Sequence, residues 1–351
     1  MDSSTPLISC VSLGMVIIDE IRMPGKLPLI DVIGGSASFV TLGNRLFAQH
    51  PEQVGCLVLA GKDFPAKAEA ALQEWGTALV IRRNEDAQST RGLLEYKDDT
   101  FGPKSFEYTT RPLRASPTDL VDSPLLRAKA VHFFATPEEI LIQVPELLRL
   151  RDNDKIEGRP LLVWEPLPVS CKPLNRQAFL DACKLVDVFS PNHIEITAIF
   201  ADGPAKDFQP EKLESYGTEI LDSSIGPQGQ GTLIIRAGEQ GSLTMGRSTR
   251  ATWLPPFYTL EDMKPSKVVD PTGAGNTFLG GYMAGWLTTT CHIEATCHGH
   301  VAASFALEQI GLPKVEKKGD EELWNGASVM ERLQKYKVRL RDAKVQSENV
   351  L

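Results

Sequence analysis

The segment KVVDPTGAGNTFLGGYMAGW, residues 267–286, constrains the fold of this chain more than any other part of the sequence. Its valine pair ends a predicted strand, a glycine-rich turn follows, and the turn leads into a helix with several small residues. Because Gly273 and Gly275 have no side chains, the main chain there can approach an anion closely. The N–H groups of the turn and the positive end of the helix dipole would then face that anion. The segment therefore predicts a phosphate-binding turn.

The glycine-rich turn has other possible interpretations, which the sequence supports to different degrees. A glycine-rich turn between a strand and a helix also occurs without any ligand, and the letters GAG alone do not decide the matter. A dinucleotide-binding fingerprint is weaker, because Phe278 stands where the third glycine of G-x-G-x-x-G is required. The sequence contains no GxxxxGK[ST] string, which excludes a Walker-type P-loop.

The letters DPTGAGN, residues 270–276, resemble the second signature of the PfkB family of carbohydrate kinases, which runs close to D-T-x-G-A-G-D. The resemblance implies an anion hole at Gly273, Ala274 and Gly275, and nucleotide contacts at Asp270 and Thr272. In the family the last Asp is the general base that takes the proton from the substrate hydroxyl, and Asn276 stands at that position here. An amide has no useful basicity at neutral pH, so Asn276 can hold a hydroxyl but cannot accept its proton. Fungal PfkB-type members with Asn at this position are similar to the chain in this respect.

A second motif lies about 80 residues earlier, where Asn192 and Glu195 match the family's N-x-x-E. In the family these side chains organise the water shell of Mg²⁺ near the ATP phosphates, so the resemblance implies ATP and Mg²⁺ as cofactors. Mg²⁺ prefers oxygen ligands and keeps much of its water. The same letters are also typical of a helix start at which the Asn caps the first turn. Both interpretations stay open at the level of the sequence.

Residues 232–245 predict a strand, a turn and a returning strand. In the family this turn carries T-x-G-x-x-G, which implies nucleotide contacts at Gly238 and Gly241, with Arg236 in place of the Thr. A guanidinium can pair with phosphate, although a plain hairpin with an exposed Arg is the alternative. Later in the chain, the family resemblance implies a helix beside the adenine, with Ala303 and Ser304 near the base.

The N-terminal region carries the positions that the resemblance assigns to the acceptor substrate. Gly14 and Asp19 fit the family's G-x-x-x-x-D, in which the carboxylate accepts hydrogen bonds from sugar hydroxyls. Gly34 and Gly35 resemble the start of the family's first signature, whose backbone lets the substrate come close. Phe39 lies nearest to the position of an expected Asn, and its ring removes a polar contact to the substrate.

Alternating strand and helix patterns favour one doubly wound α/β fold. The resemblance implies a ribokinase-like three-layer α/β/α sandwich with a mostly parallel central sheet and a small β lid. We expect residues 1–14, 36–88 and 113–340 to form the nucleotide- and substrate-binding core. We expect residues 15–35 and 89–112 to form the lid, and 341–351 to form a tail.

The composition of the chain argues against some classes of binding partner. The net charge of −8 and the pI near 5.4 argue against nonspecific binding to nucleic acid or to anionic membranes. No segment reaches the roughly 18 apolar residues of a membrane span, and six cysteines without paired spacing fit a reducing, cytoplasmic compartment. Leu93, Leu94 and Phe106, predicted as exposed apolar residues of the lid, would cover substrate or form a dimer contact. We therefore expect a monomer or a lid-mediated homodimer.

Two functions follow from these observations. The first is an ATP-dependent phosphotransferase that acts on a hydroxyl of a sugar, nucleoside or related polyol, with an activity that the missing carboxylate at position 276 lowers. The second is a pseudokinase, a nucleotide-binding or interaction protein on the same fold without efficient phosphoryl transfer.

Overall fold

Strands and helices alternate along most of the chain, as expected for a doubly wound α/β fold. The structure is a computed structural model that describes residues 7–98, 104–201, 208–259, 267–319 and 321–348. The strands are β1 Cys10–Ser12, β2 Ile17–Arg22, β3 Leu29–Gly34, β4 Gly55–Gly61, β5 Ala78–Asn84, β6 Arg91–Tyr96, β7 Lys104–Tyr108, β8 Ala130–Ala135, β9 Leu161–Pro166, β10 Val188–Phe189, β11 Thr232–Arg236, β12 Ser242–Gly246, β13 Thr252–Leu254, β14 Val315–Lys318 and β15 Glu321–Trp324. The helices are α1 Ser36–Arg45, α2 Ala66–Gln73, α3 Pro137–Asn153, α4 Arg176–Cys183, α5 His193–Phe200, α6 Pro210–Ser223, α7 Ala274–Thr289, α8 His292–Ala306 and α9 Val329–Glu348.

A seven-stranded sheet with the order β1-β8-β9-β10-β11-β12-β13 forms the centre of the described structure. The strands from β1 to β11 in this order are parallel, while β12 pairs antiparallel with both β11 and β13. A parallel bridge between Cys10 and Val54 places the β4–β5 pair beside β1. The central strands are apolar runs such as AVHFFA and LLVWEP, because a parallel sheet is buried on both faces.

Helices cover both faces of this sheet. On one face, α3, α4 and α5 contribute Val144, Phe179 and Ile199 to the largest apolar cluster. On the opposite face, α8 and α9 contribute Phe305 and Tyr336 to a second cluster. The predicted three-layer α/β/α arrangement with a mostly parallel sheet is therefore confirmed.

Helices α1 and α7 approach each other through glycines. A Cβ atom on Gly43 would lie 2.1 Å from the carbonyl oxygen of Thr277, and one on Gly280 would lie 2.0 Å from that of Val40. Any side chain at either position would push the helices apart. This close crossing holds the first turns of α1 against the glycine-rich turn that begins α7.

Strands from both predicted lid segments form a separate four-stranded sheet with the order β3-β2-β6-β7. The prediction that Leu94 is exposed is wrong, because its side of β6 packs against Ile21 of the lid and Ile310 of the core. Phe106 lies on the edge strand β7 and is 45% exposed, while Leu93 is half-buried. The predicted hairpin tip at residues 99–103 lies outside the described residues, and a lid-mediated homodimer stays a prediction.

The predicted boundary between core and tail falls inside a helix. Helix α9 continues without a break through positions 340 and 341 to Glu348, and Leu333 of its first half is buried in the second cluster. The helix is anchored by its buried first half and extends from it. Among the described residues, none of the helices has the length and apolar character that crossing a bilayer requires.

Candidate active site

The glycine-rich turn forms the N-terminal end of α7, next to the carboxyl ends of the parallel strands. Gly273 is the N-cap residue and has a φ of 76°, in the left-handed region that favours glycine. A Cβ atom at Gly273 would also lie 2.4 Å from the ring of Phe39. The first N–H groups of a helix have no partners within the helix, so the turn has the geometry of an anion site, as the sequence indicates.

Arg236, at the end of β11, lies directly beside this turn. A Cβ atom on Gly275 would be 2.3 Å from Arg236 Nη1, so the glycine makes room for the guanidinium. Arg236 is 9% exposed, and its Nη2 donates to the carbonyl oxygen of Ser190 at 2.9 Å. It is not the exposed arginine of a plain hairpin, since its Nη1 also lies 2.9 Å from Glu165 Oε1.

Glu165 is the residue of the site that the sequence analysis missed. It lies at the carboxyl end of β9, and its Oε2 accepts a hydrogen bond of 2.5 Å from Asn276 Nδ2. His132 Nε2 lies 3.3 Å from the same oxygen, and His132 Nδ1 shares a 2.9 Å hydrogen bond with Ser12. Burial alone would raise the pKa of Glu165, but the charges of Arg236 and His132 hold that pKa below its ordinary value. A carboxylate therefore lies beside Asn276, although residue 276 itself carries none.

A cavity of about 580 Å³ opens from this cluster along the carboxyl ends of the strands. Glu165 and Asn276 lie among its lining residues, and apolar residues such as Phe257, Tyr258 and Leu307 line it as well. Of the residues predicted for the nucleotide and the anion hole, several line the cavity: Asn192, Arg236, Gly238, Gly241, Ala274, Gly275 and Ala303. A cavity with apolar walls and a few charged groups is typical of a small-molecule site.

Three residues predicted at the nucleotide have other surroundings. Ser304 is fully buried, donates to the carbonyl oxygen of Val301 and accepts from Arg332, so it does not line the cavity. Asp270 and Thr272 turn towards the lid instead.

The contacts of Asp270 and Thr272 form a latch between core and lid. Tyr96 of β6 donates its hydroxyl to Asp270 Oδ1 at 2.7 Å, and Lys104 of β7 lies 3.4 Å from the same atom and also bonds to Thr272. Asp270 is only 2% exposed, so these lid residues close over it. Its carboxylate also accepts from the backbone N–H of Thr272 at 2.9 Å. These contacts direct it away from Asn276, so Asp270 is not placed as a substitute base.

Asn192 and Glu195 form a capping box at the start of α5. Asn192 Oδ1 accepts from the N–H groups of Ile194 and Glu195, and Glu195 Oε2 accepts from the N–H of Asn192 at 2.7 Å. Glu195 Oε2 also lies 3.7 Å from Arg236 Nη2. Burial raises the pKa of Glu195 to about 7, against the opposing effect of Arg236. The water shell of Mg²⁺ needs oxygens that are free to accept from it. Asn192 Oδ1 and Glu195 Oε2 are engaged in the cap, so among the described contacts only Glu195 Oε1 of this pair is left for that role, and the pair fits it poorly.

The predicted acceptor residues lie on the lid side of the turn. Asp19 of β2 is 7% exposed, its Oδ1 has no hydrogen-bond partner among the described residues, and burial raises its pKa to about 7. Gly34 and Gly92 flank this carboxylate so closely that a Cβ atom on either would clash with it. Phe39 is 2% exposed and covers Gly273. The ring packs against Gly273 as part of the second apolar cluster, and Gly35 turns the chain into α1 with a φ of 89°.

Comparisons with known proteins identify the family of the chain. The model of the pfkB family of carbohydrate kinases matches residues 165–317. An uncharacterized protein of Schizosaccharomyces pombe is 34% identical over 350 residues, 96% of this chain and 94% of the relative. The chain belongs to the PfkB family of carbohydrate kinases. Protein MAK32 of Saccharomyces cerevisiae is 26% identical over 353 residues, 95% of this chain and 93% of that protein.

Solved structures agree with the ribokinase-like fold. A putative ribokinase II of Escherichia coli, solved in complex with ATP and Mg²⁺, superposes with a TM-score of 0.66 at 16% identity, over 95% of this chain and all of that one. Such a low identity supports the fold alone. That fungal PfkB relatives share an Asn at the position of Asn276 stays a prediction.

Proposed function

We propose that this PfkB protein is an ATP-dependent phosphotransferase that acts on a hydroxyl of a sugar, nucleoside or related polyol. Three features support the proposal: family membership, the cavity beside the glycine-rich turn, and the charged cluster at one end of that cavity. Phosphoryl transfer needs positioning and charge stabilisation more than covalent help from the protein. The N-terminal end of α7 and the guanidinium of Arg236 provide both for a nucleotide phosphate.

The observation that carries the proposal is the 2.5 Å hydrogen bond from Asn276 to Glu165. In the proposed reaction the acceptor hydroxyl bonds to the amide of Asn276 and attacks the terminal phosphorus. The bond from that phosphorus to the bridging oxygen breaks, ADP leaves, and the hydroxyl proton passes to Glu165. Asn276 thus positions the hydroxyl, and the neighbouring carboxylate accepts the proton.

The surroundings of Glu165 predict a low rate of phosphoryl transfer. Because Arg236 and His132 hold its pKa below the ordinary value, the carboxylate is a weak proton acceptor. We therefore expect slow turnover compared with a kinase whose base is free of an ion pair.

The test is ADP release by the purified chain over a panel of sugars, nucleosides and polyols. We expect release that depends on an acceptor, and a decrease of roughly 10²-fold or more in the Glu165→Gln variant. The control is Glu322→Gln, which removes another carboxylate paired with an arginine, 2.7 Å from Arg45 and not among the residues that line the cavity. A Glu165→Gln variant as active as the control would contradict the proposed role of Glu165.

A nucleotide-binding pseudokinase is the second candidate, and the position of Phe39 favours it. The buried ring packs against Gly273 and offers an acceptor no polar contact. This candidate predicts that the chain binds ATP but releases no ADP with any acceptor. A chain that binds no ATP would contradict both candidates.

A further inference from the structure

We propose that the guanidinium of Arg236 is a built-in cation for the nucleotide phosphates, so that ATP binds this site without a divalent metal. This inference rests on the proposed function, because it concerns the same nucleotide cavity. It differs from what the family resemblance implies, which is a nucleotide held through Mg²⁺ and the N-x-x-E motif.

The guanidinium has the position that phosphate binding requires. Arg236 Nη1 abuts Gly275 in the first turn of α7, and both residues line the cavity. A phosphate at this helix end would therefore meet backbone N–H groups and a positive side chain together. Glycine at position 275 is what allows the approach, since any Cβ atom there would clash with the guanidinium.

The guanidinium of Arg236 also has N–H donors that are not used in the described contacts. Arginine carries five N–H donors, and the contacts within hydrogen-bond distance are those of Nη1 with Glu165 and of Nη2 with the carbonyl oxygen of Ser190. Arg236 Nε is buried and has no hydrogen-bond partner among the described residues. A buried donor without a partner is costly, whereas each terminal nitrogen keeps a second N–H group that a phosphate in the cavity would meet.

The guanidinium lies next to the groups that could attract a metal. Arg236 lies between Glu165 Oε1, at 2.9 Å, and Glu195 Oε2, at 3.7 Å. Asn192 Oδ1 accepts two backbone hydrogen bonds of the α5 cap. A metal ion held by these residues would have to lie close to the guanidinium, and like charges repel strongly in a buried site. The carboxylates therefore position the arginine instead of a metal.

The experiment is calorimetric titration of the full chain with ATP, once in EDTA and once in excess Mg²⁺. We expect dissociation constants that differ by less than about threefold between the two buffers, because the protein supplies the cation itself. For Arg236→Thr in EDTA we expect the dissociation constant for ATP to rise by about 10- to 100-fold, because hydrogen bonds to charged groups usually contribute that much to affinity. Added Mg²⁺ should restore part of that loss in the variant, since the carboxylates are then free.

The matched control is Arg159→Thr, which removes an arginine paired with Asp187 outside the cavity. It should bind ATP as the wild type does in both buffers. If Arg236→Thr does not fold, the wild-type titrations decide the question by themselves. Wild-type binding that is more than about tenfold weaker in EDTA would overturn this inference and leave the proposed function intact. A wild type that binds ATP in neither buffer would overturn both.

Discussion

The amide of Asn276 and the carboxylate of Glu165 form a hydrogen-bonded pair whose chemical groups can be exchanged. The double variant Glu165→Gln with Asn276→Asp keeps one amide, one carboxylate and the net charge, but moves the carboxylate to position 276. The single variant Glu165→Gln leaves two amides and no acceptor for the proton. We expect the single variant to lose roughly 10²-fold or more in kcat and the double variant to recover it, because a positioned base contributes about that much.

For the single variant Asn276→Asp we expect little change in kcat, because the new carboxylate would lie close to Glu165. Its new carboxylate would lie against that of Glu165, where Asn276 Nδ2 is now 2.5 Å from Oε2. Two carboxylates about 4 Å apart repel by about 4 kcal/mol at an effective dielectric constant of about 20, which corresponds to about three pKa units. The pair would therefore keep one proton near neutral pH and still offer one acceptor. We expect its kcat to stay within about tenfold of the wild type, since no second base is gained.

The assay is steady-state ADP release for the four proteins against one acceptor, with thermal melting of each as a check on folding. A double variant as inactive as Glu165→Gln, but equally stable, would refute the exchange argument. The same holds if Glu165→Gln keeps the wild-type rate. A purely structural role of Glu165 as partner of Arg236 predicts lowered melting temperatures in both glutamine variants and no recovery of kcat.

Three further predictions concern the surroundings of the site. Gly273→Ala should destabilise the fold by about 2–5 kcal/mol, from the left-handed backbone and the clash with Phe39. Gly326 has a similar φ of 72° and no neighbour within 4 Å of a built Cβ atom, so Gly326→Ala should lower the free energy of unfolding only through backbone strain. Equal losses of unfolding free energy in the two variants, measured in urea, would refute the clash with Phe39. Asp19 has a folded pKa of about 7, above its unfolded value of about 3.9, so the free energy of unfolding should fall as pH rises through that interval. In urea unfolding, Asp19→Asn should reduce this fall. An unchanged dependence of the unfolding free energy on pH would contradict the role of Asp19. Tyr96→Phe should loosen the lid latch by about 1–3 kcal/mol, seen as faster hydrogen exchange in β6 and β7 without a change in the core sheet.

The sequence predicts those parts of the site that a short stretch of chain encodes. The turn that ends at Asn276, the cap formed by Asn192 and Glu195, and the hairpin after Arg236 each lie within a few residues of their own partners. Alternating apolar runs and turn residues likewise predict the layered fold. Local patterns of this kind fix which element forms and where its end lies.

Contacts between distant segments could not be predicted in the same way. Glu165 is 111 positions from Asn276, and Tyr96 is 174 positions from Asp270. The only local signal for Glu165 is a carboxylate at the end of an apolar strand, LLVWEP, and many such carboxylates are solvated. The prediction for Leu94 was wrong for a related reason, since its burial depends on Ile21 in another strand of the lid and on Ile310 of the core.

The departures of this chain from the family pattern are not scattered, because they meet at one turn. Phe39 packs on Gly273, Arg236 abuts Gly275, and Asn276 bonds to Glu165. Each unusual residue has a partner that fits it: a bare glycine under the ring, a bare glycine beside the guanidinium, and a carboxylate for the amide. The contacts of Asn276 and Arg236 with the carboxylate of Glu165 favour the kinase candidate, whereas the packing of Phe39 favours the pseudokinase. In the proposed kinase, Arg236 takes the place of a metal and Glu165 the place of the usual base, so the two exchange experiments described above test both substitutions of charge.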